Sequence, residues 1–306
     1  MNTSRPLAVS LIVALVALTI GAMPALAKGG PPTKPQAVTT GNDISWPQCG
    51  GAYPSGQAFG IVDVNGGLAN TENPCFAGEL VWAWGSTGNS SPGQQPKASL
   101  YVNTANPGPS VTDWPTNNVD PNGVSEAPGS ANADPYGTCS ASPSGPADSP
   151  ACAWQYGWNR AIQDMLWLAG TPTTGLPANG AQPSTYTWWL DVETGNSWET
   201  GTAGLANNVA DLQGMVAAFT RTSGGTSGSI ALGGAKSVGI YSTSAQWGQI
   251  VGIGTALGTL AGLPNWLPGA RTANAAASNC SLAGFTGTVV LTQWFGRPYD
   301  GDYACR

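Results

Sequence analysis

The sequence predicts one α/β domain in which parallel strands form a barrel or a sheet, with the connections on the outside. Short runs rich in β-branched and aromatic residues alternate with longer stretches of helical periodicity, which is typical of a parallel arrangement. Polar residues recur at the carboxyl ends of the predicted strands, where parallel barrels gather their chemistry. The length that remains after an N-terminal leader, about 270 residues, suits a single barrel.

The first 38 residues are not expected to belong to the fold. Residues 1–27 have the three parts of a secretory signal peptide: Arg5, an apolar run over 7–20, and an Ala-Leu-Ala cleavage site. The run is too short for a membrane anchor and no second one follows, so we expect no stable membrane insertion. Residues 28–38 are predicted to be a disordered lead. The barrel is then expected over 39–306, in a protein that is secreted and either extracellular or cell-wall-associated.

The first half of the domain is predicted to hold three strands, one helix and a long insertion. The strands are expected at 42–47, 59–67 and 98–103, and the helix at 74–84, where apolar residues recur at helical spacing. Residues 107–152 are rich in Pro, Gly, Ser, Asn and Asp and are predicted to form a long loop insertion. This insertion is either a passive surface loop or one wall of a substrate cleft.

The second half is predicted to begin with the clearest helix of the chain, over 153–169. Trp154 and Trp158 lie on its apolar stripe, and we expect them in the core rather than on a ligand platform. The elements expected after this helix are a central strand at 186–191, a helix at 205–220, a strand at 237–242, a short helix at 244–251, strands at 263–267 and 288–294, and a final turn with a short strand at 299–303.

Composition limits the chemistry and the partners. The chain has no histidine, which excludes a Ser-His-Asp triad, a Cys-His pair and a His-ligated zinc site. Proton chemistry therefore falls to carboxylates or tyrosine, and no metal or cofactor is predicted. The formal net charge is −6 and no basic run occurs, so nucleic acid is not expected as a partner. We expect a monomer.

The six cysteines follow an export signal, which indicates disulfide bonds. Sequential pairing is preferred because it closes three local loops: Cys49–Cys75, Cys139–Cys152 and Cys280–Cys305. The second of these bonds would tie the base of the insertion.

The stretch 187–198, TWWLDVETGNSW, is the strongest indication of function. Aromatic and β-branched residues before a Thr-Gly turn predict a buried strand that runs into a loop. Strand side chains alternate, so Trp189, Asp191 and Glu193 share one face, with successive Cα atoms about 6.5–7 Å apart. Two carboxylates this close repel each other, which raises the pKa of one and lets it hold a proton near neutral pH. Cleavage of a glycosidic bond uses such a pair. Two ordinary surface acids at a solvated strand end would give the same pattern.

Other polar residues at strand ends are expected to join this pair at the carboxyl face of the barrel. The expected substrate-binding residues among them are Asp63, Asn65, Asn103, Tyr241 and Gln293. Trp46 and Trp198 flank the acids and are predicted to stack on sugar rings. Barrel packing is the alternative, and it accounts for Trp189 nearly as well.

Four stretches carry a resemblance to a known family: DIS at 43–45, DVE at 191–193, GIYS at 239–242, and QW at 293–294 followed by DGD at 300–302. In this order, across about residues 41–305, they resemble glycoside hydrolase family 25, the lysozyme-type muramidases. The chain is more similar still to secreted bacterial glycoside-hydrolase-like domains, which carry the disulfides and a D-G-D-Y-A-C ending. It differs from muramidases at 62–67, VDVNGG, and at 266–269, WLPG.

The resemblance implies a TIM-like (β/α) barrel that is irregular in its last strands and has a groove at its C-terminal face. It implies that Glu193 is the general acid and that Asp191 positions or stabilises the reacting sugar. It also implies that Asp43 and Asp302 complete the acidic site, with Asp300 as the rival for the last position.

The favoured function is a secreted glycoside hydrolase that cleaves a β-linked amino-sugar glycan such as peptidoglycan by carboxylate acid/base catalysis. The first alternative is a non-catalytic carbohydrate-binding or cell-wall-associated domain that keeps the barrel and the groove. The second is a purely structural secreted protein, which would have no need of the D-x-E strand end.

Overall fold

The structure is a computed structural model that describes residues 40–142, 145–221 and 232–305. The expected signal peptide at 1–27 and the expected lead at 28–38 lie outside the described residues. Within the described ranges, no helix combines the length and the apolar content needed to cross a membrane.

The described part of the chain contains ten strands and five α-helices, which alternate from α2 to β9. The strands are β1 Gly41–Ile44, β2 Gly60–Asp63, β3 Ala98–Asn103, β4 Ala141–Ser142, β5 Gly145–Pro146, β6 Thr187–Asp191, β7 Ser237–Tyr241, β8 Asn265–Ala270, β9 Val289–Trp294 and β10 Gly301–Ala304. The helices are α1 Phe76–Trp84, α2 Pro150–Gly170, α3 Gly201–Thr220, α4 Ser244–Ile250 and α5 Ala273–Asn279. Strands β4 and β5 form a small antiparallel hairpin of their own inside the insertion.

The remaining eight of these strands close into a barrel in the order β1-β10-β9-β8-β7-β6-β3-β2. All neighbours pair in parallel except β10, which is antiparallel to both β9 and β1. A parallel crossover needs a dozen or more residues, and only residues 295–300 join β9 to β10, so the chain reverses instead. The register between β8 and β9 also shifts. The predicted α/β barrel with irregular last strands is thus confirmed.

Alternation along β6 divides its two tryptophans between two apolar layers. Trp188 points outward and packs against Phe219 of α3, with 4.6 Å between the ring centroids. Trp189 points into the barrel and packs against Trp266, with 5.8 Å between centroids. Gly239 of β7 leaves the room that the Trp189 ring occupies, because a Cβ at that position would overlap the ring. Trp189 is therefore a packing residue, as the alternative interpretation held.

The pair α2 and α3 packs closely against one side of the barrel. Gly157 and Gly214 let the two helices approach, since a Cβ at either position would collide with backbone of the other helix. Trp154 and Trp158 stack on each other with 5.1 Å between centroids, and their side chains are buried. Their predicted place in the core is confirmed.

The described residues of the insertion at 107–152 contribute a polar network that packs against α2, a helix that begins at Pro150. Asn118 Nδ2 donates to Gln155 Oε1 at 3.1 Å, and Gln155 Nε2 donates to Glu126 Oε2 at 3.1 Å. Cys139 bonds to Cys152 in the first turn of α2, so this end of the insertion is fixed to the helix. All three disulfides have the predicted sequential pairing.

Helix α5 was not expected from the sequence. Its residues are mostly alanine and asparagine and show no apolar stripe. The helix begins where Thr272 caps it, accepting a hydrogen bond from Ala275 N at 3.2 Å. Ala276 then packs it onto β9, where Thr292 Oγ1 donates to Ala276 O at 2.8 Å.

Candidate active site

A cleft of about 420 Å³ opens at the carboxyl ends of the parallel barrel strands. Asp43 of β1, Asp191 of β6, Tyr241 of β7 and Gln293 of β9 line it, together with Glu193. The other lining residues are Ile44, Ser45, Gln48, Tyr101, Trp266, Phe295, Gly296, Arg297, Pro298 and Asp300. Five of the residues expected from the sequence thus meet in one cleft.

Asp191 and Glu193 follow each other at the end of β6 but differ in depth. Asp191 is the last strand residue; it is 7 % exposed, and its Oδ1 has no hydrogen-bond partner among the described residues. Burial, together with the charges of Glu193 and Asp43, raises the pKa of Asp191 well above its usual value. Glu193 lies in the following loop and is half-buried. Asp191 is therefore the deeper acid of the pair, because the strand carries Asp191 but not Glu193 into the barrel.

Two residues hold Glu193 at the mouth of the cleft. Gln246 Nε2 donates to Glu193 Oε1 at 3.1 Å from the first turn of α4. Trp198 Nε1 donates to the backbone oxygen of Glu193 at 2.9 Å. The carboxyl and the backbone of Glu193 are thus restrained separately.

A second pair of acids, Asp43 and Asp302, lies across the barrel from β6. Strand β10 runs beside β1, and Asp302 is fully buried. The neighbours of the Asp302 carboxyl are the Asp43 carboxyl and the Trp266 indole, and no donor among the described residues reaches it with good hydrogen-bond geometry. Burial and the Asp43 charge raise the pKa of Asp302 well above its usual value. Burial raises the pKa of Asp43 to about 6, against the opposing hydrogen bond from Gln293.

Asp300 and Asp302 have different surroundings. Asp300 lines the cleft, and its Oδ1 accepts a hydrogen bond from Gly296 N at 2.8 Å, which closes the turn between β9 and β10. Asp302 is buried beside Asp43 and does not line the cleft. The acid that pairs with Asp43 is therefore Asp302, whereas Asp300 shapes the rim.

A chain of hydrogen bonds crosses the cleft from β7 to β1. Tyr241 Oη donates to Gln293 Oε1 at 2.9 Å, and Gln293 Nε2 donates to Asp43 Oδ2 at 2.9 Å. The Gln293 amide is oriented by both partners, so its N–H faces the carboxylate. Burial, together with the nearby acids, raises the pKa of Tyr241 well above its usual value, and the phenol stays protonated as a donor.

Three residues expected to bind substrate lie instead in a buried polar network. Asp63 accepts hydrogen bonds from Asn65 N at 3.0 Å and from Asn103 Nδ2 at 3.0 Å. Asn65 Nδ2 donates to Asp164 Oδ1 on α2 at 2.9 Å. These hydrogen bonds link the ends of β2 and β3 to α2. None of the three residues lines the cleft, so their place is in packing rather than in the site.

The two tryptophans expected to stack on sugar do not line the acidic cleft either. Trp46 is 46 % exposed on a short 3₁₀ helix after β1. Trp198 is half-buried and lines a second groove with both ends of the insertion, Pro107–Ser110 and Asp148. The insertion thus walls this second groove rather than the acidic cleft.

Three residues at the site were not expected from the sequence: Tyr101, Trp266 and Gln246. Tyr101 lies in the predicted third strand, and alternation from Asn103 places its side chain toward the barrel axis. It meets Trp266 edge-on at 6.2 Å between centroids, and Tyr241 meets the same indole at 4.5 Å. The signal available was this inward alternation of aromatics. No sequence pattern marked Gln246 as a site residue, because its contact with Glu193 depends on how α4 packs.

Comparison with solved structures finds two fungal glycoside hydrolases. A family GH25 lysozyme from Aspergillus fumigatus aligns over 86 % of this chain and 92 % of its own, with 14 % identity and a TM-score of 0.42. A muramidase from Trichobolus zukalii aligns over 87 % of this chain and 93 % of its own, with 15 % identity and a TM-score of 0.39. No protein-family model and no curated protein matches the sequence. Similarity at this level adds nothing to the chemistry of the cleft, which rests on its own residues.

Proposed function

We propose that the protein is a secreted glycoside hydrolase that cleaves β-linked amino-sugar glycans such as peptidoglycan. The observation that carries the proposal is the pair at the end of β6: Asp191 is buried with a raised pKa, and Glu193 stands beside it at the mouth of an open cleft. Cleavage of a glycosidic bond needs one carboxyl group that gives a proton and a second that stabilises the charge developing on the sugar.

In the proposed mechanism Glu193 protonates the leaving oxygen, because it is the member of the pair that reaches the mouth. Asp191 lies deeper and faces the ring of the reacting sugar. Burial and the charge of Glu193 raise the pKa of Asp191, which therefore holds a proton to higher pH than a lone acid. In the proposed mechanism this proton passes to Glu193 for delivery, and Asp191 is left as the carboxylate that stabilises the charge developing on the sugar. Asp43 lines the opposite wall with Asp302 buried behind it, and burial raises the pKa of both carboxyls.

The rest of the cleft supports a sugar as substrate. Tyr241, Gln293 and Asp43 form an oriented hydrogen-bonded row that can receive sugar hydroxyl groups. Trp266 and Tyr101 supply aromatic surface at the base, and Phe295 is 65 % exposed at the rim. Aromatic surface beside oriented polar groups suits a sugar, because its ring faces are apolar and its hydroxyl groups form hydrogen bonds.

The test is zymography and turbidity loss on purified cell wall, with the wild-type chain and Glu193→Gln, across pH 4–8. We expect wild-type activity to be highest at mildly acidic pH and to fall as the acids lose their protons, with the pKa of Asp43 at about 6. Glu193→Gln keeps the shape but cannot deliver a proton, and general acid catalysis contributes about 10²–10⁴-fold. A loss of that order with glycan binding retained is the expected result. The matched control is Glu72→Gln, which removes an exposed acid outside the cleft and should keep full activity.

The alternative is a carbohydrate-binding domain without catalysis. It would show as a wild-type protein that pulls down with cell wall but releases no reducing ends anywhere between pH 4 and 8. That outcome would end the hydrolase proposal and leave the binding function standing.

A further inference from the structure

We propose that Gln246 positions the carboxyl group of Glu193 for proton delivery, an inference that rests on the glycosidase function proposed above. Gln246 lies outside the β6 motif, in the first turn of α4. The N-cap Thr243 fixes this turn, since its hydroxyl accepts a hydrogen bond from Gln246 N at 3.1 Å.

The Gln246 amide can point only one way. Its Oε1 accepts hydrogen bonds from Thr194 N at 2.6 Å and from Thr194 Oγ1 at 3.0 Å. An amide carries its acceptor and its donors on opposite sides, so Nε2 turns away from Thr194 and donates to Glu193 Oε1 at 3.1 Å. The flipped amide would set N–H against N–H at Thr194 and oxygen against oxygen at Glu193.

The hydrogen bond from Gln246 restrains a side chain that β6 does not hold in place. Glu193 lies two residues beyond the end of β6, in a loop, where strand pairing does not fix its side chain, and it is half-buried. A donor on Oε1 leaves Oε2 as the oxygen that can carry the transferable proton in the cleft that Glu193 lines. Because catalysis by a general acid depends on its placement, losing this restraint should reduce turnover more than binding.

Few charges surround the contact. Among the described residues, Asp191 on β6 and Tyr241 on β7 are titratable groups that feel the charge of Glu193. Helix α4 itself, SAQWGQI, carries no ionisable side chain. A carboxylate placed at position 246 would therefore be a new charge whose nearest acid is Glu193.

The experiment compares Gln246→Glu with Gln249→Glu, which puts the same charge on an exposed position of the same helix. Glutamate at 246 keeps an oxygen for Thr194 but faces Glu193 with a second carboxylate, which favours the protonated form of Glu193. We expect the alkaline limb of the cell-wall hydrolysis profile to move up by about one pH unit in Gln246→Glu and to stay in place in Gln249→Glu. Gln246→Ala should lower kcat about tenfold at pH 5 with KM unchanged.

A second measurement does not need activity. The ¹³C resonance of the Glu193 carboxyl carbon, followed against pH in the full chain, should titrate higher in Gln246→Glu than in Gln249→Glu. Identical Glu193 titrations in the two variants would overturn the positioning role even if the wild type cleaves glycan. The Glu193 titration could instead move in Gln246→Glu while the wild-type protein cleaves no glycan. That result would support the contact between Gln246 and Glu193 and end the glycosidase proposal.

Discussion

Asp164 offers a direct test of the buried polar network that contains Asp63, Asn65 and Asn103, three residues that were expected to bind substrate. Its carboxyl is buried on α2, where Oδ1 accepts the hydrogen bond from Asn65 and Oδ2 has no partner among the described residues. Burial raises the pKa of Asp164 to about 8, opposed by the Asn65 hydrogen bond and the charge of Arg160. The group is therefore protonated in the folded chain at neutral pH.

The sign of the effect on stability follows from the two pKa values. An aspartate in the unfolded chain titrates near pH ~4, whereas Asp164 in the folded chain titrates at about 8. Between these values the folded state holds the extra proton. The free energy of unfolding therefore falls as pH rises, by up to about 1.4 kcal/mol per pH unit from this group. Asp164→Asn keeps an oxygen for Asn65 and has no proton to lose. Relative to wild type, it should gain about 3 kcal/mol between pH 5 and pH 7.

The assay is guanidinium unfolding of both proteins, disulfides intact, at pH 5, 6 and 7. Glu72→Gln, at an exposed position, serves as the control and should run parallel to wild type. If the free energy of unfolding changes with pH in the same way for Asp164→Asn and wild type, the reasoning is refuted, because Asp164 would then be ionised in the folded chain.

Three further outcomes are expected. Non-reducing peptide mapping should link Cys280 to Cys305, a bond that holds β10 against α5 and contributes about 2–5 kcal/mol; any other partner for Cys280 would contradict the structure. Trp198→Ala should weaken oligosaccharide binding and shift the melting temperature by only a few degrees, while Trp46→Ala, outside both grooves, should leave binding unchanged; a large loss of stability with intact binding would assign Trp198 to the core. Gly157→Ala should destabilise the chain by about 1–3 kcal/mol because its methyl group meets the backbone of Asp211, whereas Gly170→Ala, with open space around it, should be neutral or stabilising; equal melting temperatures for the two variants would show that α2 and α3 are not in close contact.

Much of the architecture is local and could be predicted. β3 was expected at residues 98–103 and found there, because the apolar run Leu100-Tyr101-Val102 is bounded by polar residues. The three disulfides close short loops, which makes sequential pairing the simplest connection. Helix α5 was missed since an Ala-rich segment has no apolar stripe, and its place depends on packing against β9.

In the candidate site, too, local sequence predicts some features and tertiary packing decides the others. That Asp43, Asp191 and Glu193 stand at strand ends follows from local sequence, and the closed barrel brings them to one cleft. Which acid lies deepest does not follow, because burial is set by strand length and by neighbours from elsewhere in the chain. Asp63 and Asn65 also end a strand, but α2, about one hundred residues later, delivers Asp164 to Asn65 and turns the pair into packing. A strand end is determined by neighbours in sequence, whereas access to solvent is determined by whichever distant element covers that end.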